Sequence, residues 1–353
     1  MKPSALLLSV YLTALPGYHY QFPEDHFNHP EYQTEWWYYT GNIQDTSGHR
    51  YGFELTFFRQ ALQLPKSAVD STGPVWRPDQ IYLAHLALTD IDGRSFYHTE
   101  RLNRAGPGIA GVDQNARKYW NGNWQVYWKN LSTGEQQLQA TCDRFTLALR
   151  LAPLKPPVIN GKGGVSQKGP GPGEASHYIS FTRLNAQGQL NGANVTGLAW
   201  MDHEFFTQQP NPTLAGWDWF AIQLENNEEL MLYRLRNKSG EVSPYSSGTY
   251  VDAKGVAHHL SADEIIFNPG RLWRKYPVDW QIVIPSLGLQ LAERTALDNQ
   301  ELATPGSPSP SYWEGAVTYA GTMQEQPVKG LGYLEMTGYG EPIRWSLTLD
   351  FGR

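Results

Sequence analysis

Along most of the chain, apolar and polar residues alternate in short runs that end in clusters of Gly, Pro, Asn, Asp and Ser. A period of two marks a strand with one buried face. Residues 37–43 lead through Asp45-Thr-Ser-Gly48 into 51–59, which predicts two strands joined by a hairpin turn; 81–88, 124–128, 137–142 and 145–151 continue the pattern. The Gly- and Pro-rich stretch 153–173 carries too few apolar residues to pack and predicts a long loop of the kind that often covers a site. Strand-like runs resume at 178–183 and 194–205, then at 249–255, 280–284, 287–291, 313–319 and 330–336. No segment offers three clean helical turns with caps.

The pattern restarts after a linker-like Gln208-Gln-Pro-Asn-Pro212. Glu35-Trp-Trp-Tyr-Tyr, followed by a turn and a strand ending Phe57-Phe-Arg59, resembles Gly216-Trp-Asp-Trp-Phe, followed by Glu225-Asn-Asn and a strand ending Leu232-Tyr-Arg234. The repeat implies two similar β-barrels or sandwiches, over 21–209 and 210–353. Residues 1–20 precede them. Lys2 and the apolar run 5–15 have the shape of a short signal peptide, cut after Ala14 or Gly17, or else form a flexible tail. Export to the periplasm or medium and retention in the cytoplasm are both compatible with that pattern. No other run approaches the ~18 apolar residues of a spanning helix.

Composition narrows the class. With 353 residues, 34 glycines, 24 prolines, 13% aromatic and only 18% charged residues, the chain suits neither a disordered segment nor a coiled coil. A net charge of -6 leaves no basic stripe to track nucleic acid. The single Cys142 excludes an intramolecular disulfide and reads as a buried core thiol.

Three clusters mix aromatics with carboxylates: Glu35-Trp36-Trp37-Tyr38-Tyr39, Trp200-Met-Asp202-His203-Glu204, and Tyr312-Trp313-Glu314 with Tyr333, Glu335 and Tyr339. On a strand Asp202 and Glu204 share one face and His203 takes the other, which disfavours a metal site built from all three. Nucleophile elbows, phosphate loops and dinucleotide fingerprints are absent, so neither a hydrolase triad nor a nucleotide cofactor is implied. A carboxyl in an apolar pocket can act as an acid near neutrality, and aromatic faces stabilise the cation formed when an alkene is protonated. The competing structural reading makes Trp37 and Trp217 plugs of their barrels, with Arg59 or Arg234 packed over them, and His85 a hydrogen-bonded core histidine.

Glu35-Trp-Trp-Tyr-Tyr-Thr-Gly41, Ala84-His85 with Leu88-Thr-Asp90, Tyr178-Ile-Ser-Phe-Thr-Arg183 and Gly197-Leu-Ala-Trp-Met-Asp-His-Glu-Phe205 resemble the AttH-like proteins related to carotenoid 1,2-hydratases, from about residue 20 onward. The resemblance implies a mainly β protein of two lipocalin-like (calycin) antiparallel barrels packed together. It implies binding of a hydrophobic isoprenoid, carotenoid or lipid-like molecule in a barrel or inter-domain cavity, with cofactor-free acid hydration of a carbon-carbon double bond. The label of secreted hydrolase carried by bacterial relatives finds no nucleophile here. Asp202 is nominated as proton donor with Glu204 and His85 as partners, and Trp37, Tyr39, Glu54, Arg59, Tyr178, Trp200 and Trp219 as ligand-binding residues. The alternatives are a lipocalin-type carrier, or a pericyclase- or isomerase-like enzyme working by preorganisation.

Overall fold

A computed structural model describes residues 11–62, 79–207, 213–303 and 311–340. Among the described residues, three 3-10 turns are the only helical elements. Thirteen strands, the last ending at Phe206, form one antiparallel sheet, and ten, the first starting at Leu214, form another. The expected 208–212 linker lies outside the described residues. Both sheets are lipocalin-like; the first curls until its ends nearly meet and the second closes only to a half-barrel. Across the first sheet's gap, Ala105 bridges Ala110, and Asn121 Nδ2 donates to the carbonyls of Tyr82 (3.1 Å) and Arg101 (3.2 Å).

The predicted hairpin is Thr34–Asp45 with Arg50–Ala61. Its turn closes on Asp45, whose side chain accepts the backbone N–H groups of Ser47 and His49, while Gly48 takes a left-handed φ of +86°. In the 153–173 loop, the two-residue strands Val158–Ile159 and Ser166–Gln167 both pair with Ala175–Leu190. Residues 11–20 lie against the first barrel: Ala14 is buried, Gly17 N–H donates to Gly163, and Tyr18 reaches Asp25. Cys142 is half-buried at the edge of the first core, because its strand ends one residue earlier at Thr141.

Both barrel interiors are filled with side chains. Trp37 plugs the first, stacked on Tyr119 and His203 at centroid distances of 5.0 and 4.8 Å. The same role was expected of Trp217, and the structure corrects it. Phe220 fills the second core, edge-on to Trp280, while Trp217 and Trp219 take the opposite face of their strand. Arg234 does cover an aromatic ring, that of Trp280, at 4.6 Å.

The two barrels meet through their outer faces. Tyr38, Tyr178, Trp200, Trp219, Tyr233 and Tyr333 form a third apolar core between them. Contact is close at Gly52, where an added Cβ would stand 2.6 Å from that of Ala316. Asn42 donates to the Gly332 carbonyl, and buried Glu229 of the second sheet takes Lys155 (2.8 Å) and Arg183 from the first. Where these strands meet, their side chains fall in a barrel core or in the shared wall; farther along they reach solvent, as at Asn194, Thr196 and Leu331.

The ion network that opens the repeat sits inside the first barrel. Glu35 lies directly opposite Arg59 across the hairpin and receives its Nε at 2.8 Å; His29 and His203 each approach Glu35 Oε1 at 2.8 Å, and His29 also meets Asp25 at 3.1 Å. Burial alone would lower His29, but its bonds to Asp25 and Glu35 push it up to about 9. Two outcomes follow. Arg59→Met, which strands the Glu35 carboxylate, should cost about 3–5 kcal/mol in urea denaturation. A raised histidine stabilises fully below its unfolded value of 6.5 and loses that contribution as pH rises through about 9, so stability should drop by roughly 3 kcal/mol over that window and His29→Gln should flatten the slope.

Candidate functional site

Alternation at the barrel junction builds a cavity of about 220 Å³ between the sheets. On the first strand, Thr34, Trp36 and Tyr38 face it; on Ala193–Phe206, Asp202, Glu204 and Phe206 do. The second sheet contributes Trp217 and Trp219 from Leu214–Leu224, Tyr312 and Glu314 from Tyr312–Met323, and Glu335 from Gln326–Met336. Phe58, His85 and Tyr178 add to the wall, and the 153–173 loop supplies Lys168.

Asp202 is fully buried and receives three hydrogen bonds. Ser180 Oγ (2.5 Å) and Trp200 Nε1 (2.7 Å) reach Oδ1, and the Tyr178 hydroxyl (2.5 Å) reaches Oδ2. Behind them, Asn160 Nδ2 donates to Ser180 and Trp219 Nε1 donates to Tyr178. Burial raises Asp202 to about 7 against the pull of these donors. Glu204, two residues on, accepts a short bond from Ser176 and lies 3.6 Å from Lys168 Nζ, which also sits 3.7 Å from the Tyr233 ring centroid. As the alternation requires, His203 points away, into the first barrel.

A second set of carboxyls comes from the other sheet. Glu314, fully buried, and Glu335, partly buried, stand directly opposite each other on adjacent strands. Burial is the main reason that Glu314 lies well above the usual carboxylate range, with repulsion from Glu54 and Glu335 adding to it, while the Tyr38 and Tyr312 hydroxyls temper the rise. Glu335 and Glu54 are pushed up to about 8, again chiefly by burial. Among the described residues no lysine or arginine forms an ion pair with any of the three, and Glu314 Oε1 and Glu54 Oε2 are buried with no hydrogen-bond partner.

The nominated residues divide by face. Asp202, Glu204, His85, Arg59, Tyr178 and Trp219 line the cavity. Trp200 stands behind Asp202 and crosses Trp219 edge to face at 6.2 Å. Trp37 and Tyr39 do not reach it: they belong to the first barrel core, where Tyr39 bonds Tyr119 and Gln136, because odd positions of their strand point inward. Glu54 lies behind the lining, bonded by Thr56 and facing Glu335 electrostatically. His85 is lowered to about 3 by burial and bonds Tyr312 through Nδ1 at 2.6 Å, so it is a neutral wall residue rather than a base beside Asp202. Arg59 touches the cavity but its charge serves Glu35.

Trp36, Tyr38, Trp217, Glu314, Glu335 and Lys168 were not nominated. The Glu314 and Glu335 motifs stand out in the sequence, but their juxtaposition depends on hairpin register; Lys168 sits in a loop with no periodicity to read. His29, Glu35 and His203 bring donor atoms within 4.8 Å of one another. Arg59 already neutralises Glu35 there, so the grouping is an ion network and not a cation site. No helix among the described residues is long and apolar enough to cross a membrane.

Comparison with known proteins agrees with this architecture. A crystal structure from Nitrosomonas europaea assigned to AttH superposes with a TM-score of 0.83 at 31% identity, covering 94% of this chain and all of that one. Kievitone hydratase from Nectria haematococca shares the fold, with a TM-score of 0.69 at 15% identity and 94% of each chain covered. By sequence, kievitone hydratase of Fusarium solani subsp. phaseoli is 24% identical over 220 residues, 57% of this chain and 59% of that protein. Dehydratase asqC of Emericella nidulans is 20% identical over 213 residues, 57% of this chain and 60% of that protein. The chain thus spans about three-fifths of the curated relatives it matches. The AttH-like family profile covers residues 13–339, and with that span and the two-barrel fold this chain belongs to the AttH-like family.

Proposed function

We propose that the cavity between the barrels binds the alkene end of a hydrophobic, isoprenoid-type molecule and adds water across its double bond by acid–base chemistry without a cofactor, the reverse elimination using the same groups. The observation that carries this reading is Asp202, a wholly buried carboxyl brought to about 7 in a cavity whose walls include Trp36, Tyr38, Phe58, Tyr178, Trp217 and Trp219. A group balanced near neutrality can exchange a proton with a reactant, and the aromatic faces stabilise a carbocation. Relatives named hydratase and dehydratase support the same reaction class.

Size refines the substrate. A volume of about 220 Å³ falls below the ~300–1,000 Å³ of sites that swallow a drug-sized ligand. The cavity suits the end of a prenyl chain better than a whole carotenoid.

Incubation with kievitone, acyclic terpenes and carotenoids in ¹⁸O-labelled water should give labelled alcohol from at least one probe, and Asp202→Asn should lower the rate at least about 100-fold. Binding by both proteins with turnover by neither would make the molecule a carrier. A prenyl-like tertiary amine, cationic at neutral pH, should inhibit roughly 10-fold better than the neutral alcohol of the same shape, with Trp219→Leu reducing the preference. Equal inhibition by amine and alcohol would remove the cation from the reaction path.

A further inference from the structure

The hydrogen-bond directions around Asp202 carry more than its participation. Trp200 Nε1–H has no choice but to donate. Tyr178 and Ser180 already accept from the Trp219 indole and the Asn160 amide, so each hydroxyl has its own proton left to give, and Asp202 is the acceptor within 2.5 Å. Three donors thus converge on one carboxyl, Oδ1 taking two and Oδ2 one. That is the setting of a carboxylate.

The second sheet differs in crowding: the Tyr38 and Tyr312 hydroxyls reach Glu314 and the Trp217 indole reaches Glu335, but the carboxyls there lie against one another. Glu314 and Glu335 face each other with Glu54 near them, and like charges directly opposite on adjacent strands repel. No ammonium or guanidinium forms an ion pair with them among the described residues, and Glu314 Oε1, a buried oxygen of a cavity-lining residue, has no partner at all. Carboxyls so placed disfavour one another's ionisation and favour the protonated form, and among the described residues the grouping of donor atoms close enough to hold a metal ion is His29, Glu35 and His203. The cavity therefore has an acid on one sheet and a base on the other.

We infer that Glu314, backed by Glu335, is the proton donor of the reaction and that Asp202 is the base that accepts the proton of the attacking water. This rests on the hydration reading above and reverses the role first expected of Asp202. In the addition, the alkene π pair takes the Glu314 proton to form a C–H bond, leaving a cation on the other carbon. A water oxygen bonds to that carbon and its proton passes to the Asp202 carboxylate. Solvent then returns a proton from Asp202 to Glu314, so the net change is one added water. Glu335 is a positioning residue: it keeps Glu314 protonated and touches the substrate only as wall.

Infrared spectroscopy of the full chain in D₂O at neutral pH reads the two protonation states without substrate. Glu314→Gln should remove a protonated-carboxyl stretch, and Asp202→Asn should remove a carboxylate band. The reverse pattern overturns the assignment. Should E314Q not fold, Glu335→Gln should likewise remove a protonated-carboxyl stretch, and loss of a carboxylate band instead would overturn it. Turnover of kievitone in D₂O and ¹⁸O-water separates the roles. In D202N the carboxylate left on Glu314 can take a proton back from the adjacent carbon, so deuterium should still wash into the prenyl group while ¹⁸O uptake falls at least about 100-fold. E314Q should lose both labels. Loss of deuterium wash-in from D202N with its retention in E314Q overturns the inference. Infrared bands as expected with a wild type inert toward every probe would instead overturn the hydration reading and leave the proton assignment standing.

Discussion

A carboxylate sealed between two packed sheets has lost its water, and the free energy of that loss must be offset by a cation, by a proton or by converging donors. Each buried acid here ends in one of those ways. Glu35 has Arg59, Asp218 has Arg234 and Arg236, and Glu229 has Lys155 and Arg183. Glu54, Glu314 and Glu335 have no cation among the described residues and are pushed toward the protonated form, while Asp202 has three donors. The first group holds strands and barrels in place; of the others, Asp202, Glu314 and Glu335 line the cavity and Glu54 lies behind it. Burial alone does not mark function: Glu293 lies well above the ordinary range inside the second barrel, with both oxygens unpartnered, yet it does not line the cavity between the barrels. The combination of an uncompensated acid with open space is what distinguishes Glu314.

The same constraint explains the repeat. Glu35 opposite Arg59 in the first hairpin corresponds to Asp218 opposite Arg234 in the second. Aligned on these pairs, Trp36 matches Trp219 on the outward face and Trp37 matches Phe220 on the inward one. A buried salt bridge adds little net stability but disfavours registers that separate its partners. A one-residue slip of either strand would turn its aromatic plug into the shared wall and strand an ion in the core.

Much of this was legible along the chain. Period-two alternation, the hairpin at 45–48 and the shared face of Asp202 and Glu204 are local properties, and each appears in the structure. What one strand's alternation does not state is which of its two faces meets the partner barrel, since both are apolar when both are buried. That is why Trp37 and Tyr39 read as ligand-binding residues in place of Trp36 and Tyr38, and why Trp217 read as a plug. The Glu314–Glu335 pair was harder still. Its members lie on separate strands, and their neutrality depends on cations that are absent from a three-dimensional neighbourhood no single strand reveals.

An acid and a base on opposite sheets also fit relatives named for opposite reactions. By microscopic reversibility, a site that delivers a proton to carbon from one wall and takes a water proton at the other can expel water by the same path. Direction is then set by the reactant's own free energy and by what the cavity admits. Here the aromatic wall would stabilise a cation without supplying a nucleophile, so capture depends on water reaching the Asp202 side. Lys168 and Glu204 lie next to Asp202 on that side, and Lys168 belongs to a cavity-lining segment with little strand structure of its own. Ser166 and Gln167 of that segment pair with Ala175–Leu190 and hydrogen-bond the Tyr233 hydroxyl, so both sheets hold Lys168 in place, and water's approach to the Asp202 side is set by the same packing that buries the Glu314 acid.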